Sequence, residues 1–358
     1  MQMNSDAIER APRQSNLELL RILAIFAILG DHYFGGTGLR SELQGVSLLV
    51  ANLLSSGGCI SVNVFVLIGV WFLVDVPFNG MRPIRLYLTL AFYSIPITLI
   101  MLLAGRQICF QHILQGFFPF TLMATWYTNA YISLLLLTPF LKKIVNMPVP
   151  CIRNLVVLTL LLVCLPASLP WMTSYDYVSS MFWFPCVYLL VGYLKHCTRW
   201  FEMGATWVYV MMALLGYGGI CVFRSSSIPQ IATTAELYRA CIKSLPNLVI
   251  AYCVFIIFLR LRIGTVNWIN KVARSVFSVY VIHQIPALWS WEWEMVLQHL
   301  QPMAGSLPRV VAVNCLFSCA IIFVLCLLLD QVKILFLDCW LMKTRVVKRA
   351  ATWVENAL

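Results

Sequence analysis

The sequence predicts an all-α fold, a polytopic transmembrane helical bundle of about ten helices with both termini cytoplasmic, and three observations predict it. Of 358 residues, 61% are hydrophobic and 11% charged, with a mean hydropathy of +0.85; a soluble domain carries about 25% charged residues. Apolar runs of spanning length, separated by polar or Pro/Gly-containing breaks, recur near 16–35, 47–74, 86–104, 124–141, 154–170, 178–194, 205–222, 246–261, 275–292 and 310–337. Lys and Arg gather in alternate loops. With the N-terminus inside, six of the 25 fall outside (Arg40, Arg106, Arg224, Arg239, Lys243 and Arg309), Arg21 lies within the first run, and the rest are cytoplasmic.

The same composition excludes other classes. A net charge of +11 invites a nucleic-acid reading, but the basic residues are scattered through short loops without the clustered face that phosphate tracking requires. The thirteen cysteines include no CxxC, and several, such as Cys164, Cys253, Cys319 and Cys326, lie inside apolar runs as small hydrophobes. They predict neither a disulfide framework nor a metal site. No soluble domain fits between the runs, so the division is a cytoplasmic tail over 1–15, a transmembrane domain over 16–340 and a basic cytoplasmic tail over 341–358. MQMNSDAIERAPRQ lacks a small-residue cleavage site, so the first run is expected to be kept as a helix.

That first run, NLELLRILAIFAILGDHYF from Asn16 to Phe34, carries Glu18, Arg21, Asp31 and His32 in a segment of spanning length. Charge in hydrocarbon is costly enough to require a partner or a task. Arg21 and His32 are eleven residues apart, three helical turns to within about 20°, so they project from one face with roughly 16 Å of axis between them. One reading is a fixed cation near one membrane surface and a titratable imidazole near the other, both facing a cavity. The other is that Arg21 neutralises Glu18 one turn away while His32, Tyr33 and Phe34 form an interfacial belt. Asp31 cannot share the face of His32.

Four later stretches carry polar or basic residues in unusual settings. In SVNVFVLIGVWFLVD (Ser61 to Asp75), Asn63 either hydrogen-bonds a neighbouring helix or lines a cavity. Arg82-Pro-Ile-Arg85 sets two guanidinium groups to point the same way; they grip phosphates bidentately or anchor helices to anionic lipid. TWYTNAYISLLLLTPFLKKIV places Trp126, Tyr127, Tyr131 and Pro139 on one helix. SVFSVYVIHQIP buries Tyr280 and His283 in an apolar helix, where His283 either bonds a carbonyl or takes part in chemistry. His112, His196 and His299 lie in or beside loops and receive no role. Glu292 and Glu294 among Trp289, Trp291 and Trp293 read as solvated acids in an interface belt, and Asp330 and Asp338 as partners of Lys333 or Lys343.

An Arg, ten residues and a His within "N-x-E-L-L-R-I-x-A" closely resembles the first helix of the membrane acyltransferase-3 family, which includes bacterial O-acetyltransferases of surface polysaccharides. The 61–75 stretch, the RxxR after it, the 125–145 helix, FWFPCVYLLVGYLKH through Gly192 and Tyr193, and the 275–286 helix extend the resemblance in the family's order. One departure is that Gly69-Val70 stands where the family has Ser-Gly. The resemblance implies a membrane O-acyltransferase in a bacterial inner membrane, moving acetyl from cytoplasmic acetyl-CoA to a hydroxyl of a glycan or glycolipid. It implies Arg82, Arg85 and Arg21 at the coenzyme A phosphates and His32 as general base or as acyl carrier. Asn63, Trp126, Tyr127 and His283 are candidates to hold substrate or the oxyanion. The alternative is a transporter or flippase for a lipid-linked sugar, which predicts an inverted repeat that the two halves do not display.

Overall fold

A computed structural model describes residues 13–169, 180–198, 200–300 and 307–358. Most of the expected N-terminal tail and the side chain of His299 lie outside the described residues. Among the described residues the chain is helical, with no strand. The α-helices are α1 Ser15–Thr37, α2 Gly45–Ser55, α3 Gly58–Leu73, α4 Met81–Leu103, α5 Phe110–Phe117, α6 Trp126–Val145, α7 Val149–Thr159, α8 Leu165–Ala167 and α9 Ser180–Tyr193. They continue as α10 Thr206–Arg224, α11 Pro229–Ala240, α12 Leu245–Arg260, α13 Asn267–Ala273, α14 Val276–His283, α15 Pro286–Leu300, α16 Pro308–Lys333 and α17 Arg345–Ala357.

Among the described residues, five stretches are long and apolar enough to cross a membrane: Gly45–Leu73, Met81–Leu103, Val149–Ala167, Thr206–Arg224 and Pro308–Lys343. A sixth is added if α11 and α12, bent by 54° at their break, count as one span. Helices also occupy the other stretches read as spans, in α1, α6, α9 and the α14–α15 pair. Burial separates a rim from a centre. The spanning windows of α7–α8 and α10 are each only 17% buried, whereas that of α2–α3 is 72% buried. Rim helices that turn Leu, Val and Phe outward need an apolar solvent around them, while the centre can afford polar groups.

The centre is α1. It packs against α2, α3, α12, α13, α14, α15 and α16. Tyr33 and Phe34 are buried, and Trp293 of α15 packs edge-on against Tyr33. The belt reading of His32, Tyr33 and Phe34 is therefore not what the fold contains, because α15 folds back over the end of α1 and takes those rings into the core. Trp293 is likewise a core residue at 2% exposure rather than part of a belt.

Two expected runs are broken, for local reasons. The 275–292 run ends α14 at His283 and restarts as α15 at Pro286. Proline has no N–H to continue the ladder, and it pushes the preceding residue out of helical conformation. The 47–74 run divides at Ser56-Gly57. The first break leaves His283 and Gln284 at a helix end beside α1, where an unbroken helix would have kept them in a regular wall.

Buried charges are paired. Arg224, 3% exposed, donates from Nε to Glu236 at 2.8 Å and from Nη1 to the hydroxyls of Ser56 and Ser55 at 2.7 and 3.1 Å. Glu236 also accepts from Arg239 at 2.7 Å, and Arg239 donates to Asp31 at 2.6 Å. Three arginines expected as outside-loop charges, Arg40, Arg224 and Arg239, thus join one network with Glu236. Toward the other face, Lys333 stands 2.9 Å from Asp330 and 3.6 Å from Asp338, and Tyr93 donates to Asp330 at 2.7 Å. Removing one member of such a set leaves an uncompensated buried charge.

At Gly69, where the sequence departs from the family pattern, the ring of Tyr131 on α6 reaches α3 and occupies the place a Cβ would take. A Cβ there would stand 2.5 Å from the Tyr131 hydroxyl and 3.1 Å from its ring. Gly69→Val is therefore expected to force Tyr131 out of position at a cost of about 1–3 kcal/mol. The check is thermal unfolding in detergent. The variant should melt lower than the parent, and an unchanged melting temperature would contradict this packing.

Candidate active site

The first turns of α1 face a basic mouth. Arg21 donates through Nη1 to both carboxylate oxygens of Glu18, at 3.3 and 3.1 Å, and Arg13 stands 3.5 Å from the same carboxylate. Pairing with Glu18 does not remove Arg21 from the interior, since its side chain lines two adjoining cavities. The first, of about 320 Å3, is also lined by Arg82, Arg85, Gly69 and Tyr131. The second, of about 220 Å3, runs past Arg13, Arg21 and Arg274 to Tyr127, Tyr131 and Tyr280. Five arginines border these two spaces, against the carboxylates of Glu18 and of Asp338, the latter 3.7 Å from Arg85. Such a mouth suits a ligand carrying several phosphates.

A stacked set of rings forms the inner wall. Tyr127 lies parallel to Tyr131 at 5.9 Å and edge-on to Tyr280 at 5.1 Å. Tyr280, 6% exposed, lines both the 220 Å3 cavity and a third one beyond it, and among the described residues its O–H donates to no acceptor. A buried donor without an acceptor loses its hydration for nothing in return, so this O–H is available to a ligand.

The third cavity, of about 380 Å3, shares Ile28, Val62 and Tyr280 with the second and is lined by Asp31, His32, Trp126 and Lys243. His32 is held there from behind. Its Nδ1 lies 2.9 Å from Nε2 of His283, whose own Nδ1 lies 2.7 Å from the carbonyl oxygen of Val279, one turn back on α14. A carbonyl only accepts, so His283 carries its proton on Nδ1 and, as a neutral ring, offers Nε2 as an acceptor. His32 must then donate from Nδ1. Gln284 lies with its side-chain Nε2 3.1 Å from the same atom, and a half-turn of its amide brings Oε1 there to accept that proton. This leaves Nε2 of His32 as a lone pair. Trp289, edge-on at 5.3 Å, packs beside the ring.

The residues singled out from the sequence separate into two groups. Arg21, His32, Arg82, Arg85, Trp126 and Tyr127 all line one of the three cavities. Asn63 does not. It is fully buried, donates to the carbonyl of Ile242 at 2.8 Å and accepts from Trp183 at 2.8 Å, so both ends of its amide are engaged by neighbouring helices. Of its two readings, the helix-bonding one is observed, and because Asn63 lines none of the three cavities its second N–H does not face an oxyanion there. His283 bonds a carbonyl and also reaches His32, so its two readings are not exclusive. Sequence reasoning missed Tyr280 and Arg274 as site residues. Tyr280 was visible only as an aromatic in the apolar 275–286 stretch, and Arg274 only as a loop charge. Gln284 was signalled by nothing beyond its place between a histidine and a proline.

A family model described as an acyltransferase domain matches residues 14–329, most of the chain. No curated protein and no solved structure matches it. The matched segment supplies the paired histidines and every lining residue of the three cavities except Arg13, and the apolar helices around them make this a multi-pass membrane protein. With that span and its helical architecture, the chain belongs to the acyltransferase-3 family of membrane acyltransferases.

Proposed function

We propose that this protein is an integral-membrane O-acetyltransferase of a bacterial inner membrane. It takes acetyl from acetyl-CoA at its basic, cytoplasmic mouth and delivers it to a hydroxyl of a cell-surface polysaccharide, or of its lipid-linked precursor, in the opposite cavity. The observation that carries this reading is the row of three adjoining cavities with arginines at one end and the unencumbered nitrogen of His32 at the other. No observation favours the transporter alternative.

The chemistry is derived from the placement. The phosphates of coenzyme A sit among Arg82, Arg85 and Arg21, with Arg274 adjacent, and the pantetheine arm runs along the tyrosine wall with its thioester near His32. Nε2 of His32 takes the proton of the acceptor hydroxyl as that oxygen attacks the thioester carbonyl. Proton donation from His32 Nδ1 to His283 continues through the step, so the ring stays oriented as it becomes cationic. The Tyr280 hydroxyl, which lines the same cavity as His32, donates to the oxyanion. Collapse of the tetrahedral intermediate breaks the C–S bond; coenzyme A leaves as the thiolate and takes up the proton held by His32. Trapping of an acetyl group on His32 in the absence of acceptor would instead make it the carrier.

Purified protein in nanodiscs tests this through slow hydrolysis of acetyl-CoA. His32→Gln should lower turnover by at least about 100-fold while coenzyme A still binds. His283→Gln should lower kcat by about tenfold or more and leave KM for acetyl-CoA nearly unchanged, because it acts on ring orientation rather than donor binding. Unaltered turnover in His32→Gln would overturn the proposal. The double variant Arg82→Ala/Arg85→Ala should show the opposite pattern. KM for acetyl-CoA should rise by about tenfold or more at nearly constant kcat, as expected when charge-assisted bonds to phosphate are lost.

A further inference from the structure

The family match ends at residue 329, and the chain beyond it is not a loose basic tail. α16 runs on as a π-helix over Ile334–Asp338, and after a 3-10 turn at Leu341–Lys343 the chain forms α17, opened by Thr344, whose side chain accepts from the amide of Val347. This helix has three separate faces. Val347 and Ala351 are buried, Val347 in a small cluster with Leu337, Met342, Met81 and Ile84 at the start of α4. Arg345, Lys348, Arg349 and Thr352 lie along a second face, and no ion pair engages its three cations among the described residues. The third face is apolar and uncovered. Val346 is 78% and Trp353 72% exposed, with Ala350 between them.

A docked helix whose free surface divides into a cationic face and an apolar face with a tryptophan has the form of a segment lying in a membrane interface. The end of the preceding apolar span agrees, since Leu335, Phe336 and Trp340 are also exposed just before the chain reaches α17. We propose that α17 binds the anionic phospholipid surface of the leaflet on the Arg82–Arg85 side, with Arg345, Lys348 and Arg349 at the headgroups and Val346 and Trp353 in the acyl boundary. Charge complementarity selects this occupant. A zwitterionic surface would give the apolar face the same contact but leave the three cations unanswered.

The attachment reaches the donor mouth. Glu355 accepts a hydrogen bond from the amide of Gly80 at 2.8 Å, immediately before the turn carrying Arg82 and Arg85. A side chain at Gly80 would strike the Ala351 carbonyl at 2.5 Å, so the helix and this turn move as one body. Lipid that holds α17 therefore also holds the start of α4.

Hydrogen–deuterium exchange on the full chain in nanodiscs tests this without reference to catalysis. Amides of 345–357 should exchange at least about tenfold more slowly in discs containing phosphatidylglycerol than in discs of phosphatidylcholine alone. The difference should vanish in about 1 M salt, where screening acts within a few ångströms. It should also vanish in Arg345→Gln/Lys348→Gln/Arg349→Gln, with exchange in α1–α3 unchanged as the control for folding. Equal exchange of 345–357 in the two lipids would overturn the proposal and leave an acidic protein partner as the better occupant; the salt series on the parent chain decides this even if the triple variant misfolds.

Discussion

The hydrogen bond between His32 and His283 ties the structure to its chemistry. It joins α1 to α14 across 251 residues of sequence and, through the carbonyl of Val279, determines which nitrogen of each ring carries a proton. Without that carbonyl, either tautomer of His32 would serve, and its cavity-facing nitrogen would be a donor as readily as an acceptor. One backbone oxygen, held by the helix it belongs to, thus sets the character of an imidazole on another helix. The break before Pro286 makes this possible by ending α14 at the residue that must reach across.

Around that contact the membrane imposes a second constraint. Every charge placed in the interior must be paired or must face a cavity. Arg21 does both, bonded to Glu18 and lining two of the spaces that lead inward. Asp31, next to His32 in sequence, is taken up by Arg239, and that pair extends through Glu236 to Arg224. A lone carboxylate one residue from His32 would compete for a proton there, and this ionic chain keeps Asp31 occupied. The apolar rim of α7, α10 and α16 encloses a polar centre, which keeps the three cavities apart from lipid.

Much of this was legible in the sequence, and the reasons for the rest are physical. Helical content, the position of the runs and the central role of the first one are set by hydropathy and by four charged or titratable residues in one apolar segment. The alignment of Arg21 with His32 comes from helical periodicity alone. Pairing across distant helices does not, because periodicity fixes which face a residue occupies but not which helix meets it. His283 was therefore visible as an unusual residue without its partner. Asn63 looked the same in sequence as a cavity residue would, and only the positions of Trp183 and Ile242 reveal that its amide bonds neighbouring helices. The C-terminal segment read as a basic tail because its charges dominate the composition, while the apolar face that docks it needs only Val347 and Ala351.

The most direct measurement of the central claim is a structure of the protein bound to an acetyl-CoA analogue whose thioester sulfur is replaced by methylene. The account places the analogue's phosphates within hydrogen-bond distance of Arg82 and Arg85 and its acetyl carbonyl carbon within about 4 Å of Nε2 of His32, in near-attack range. An analogue bound outside the three cavities, or one seated among the arginines with its acetyl group remote from His32, would contradict it.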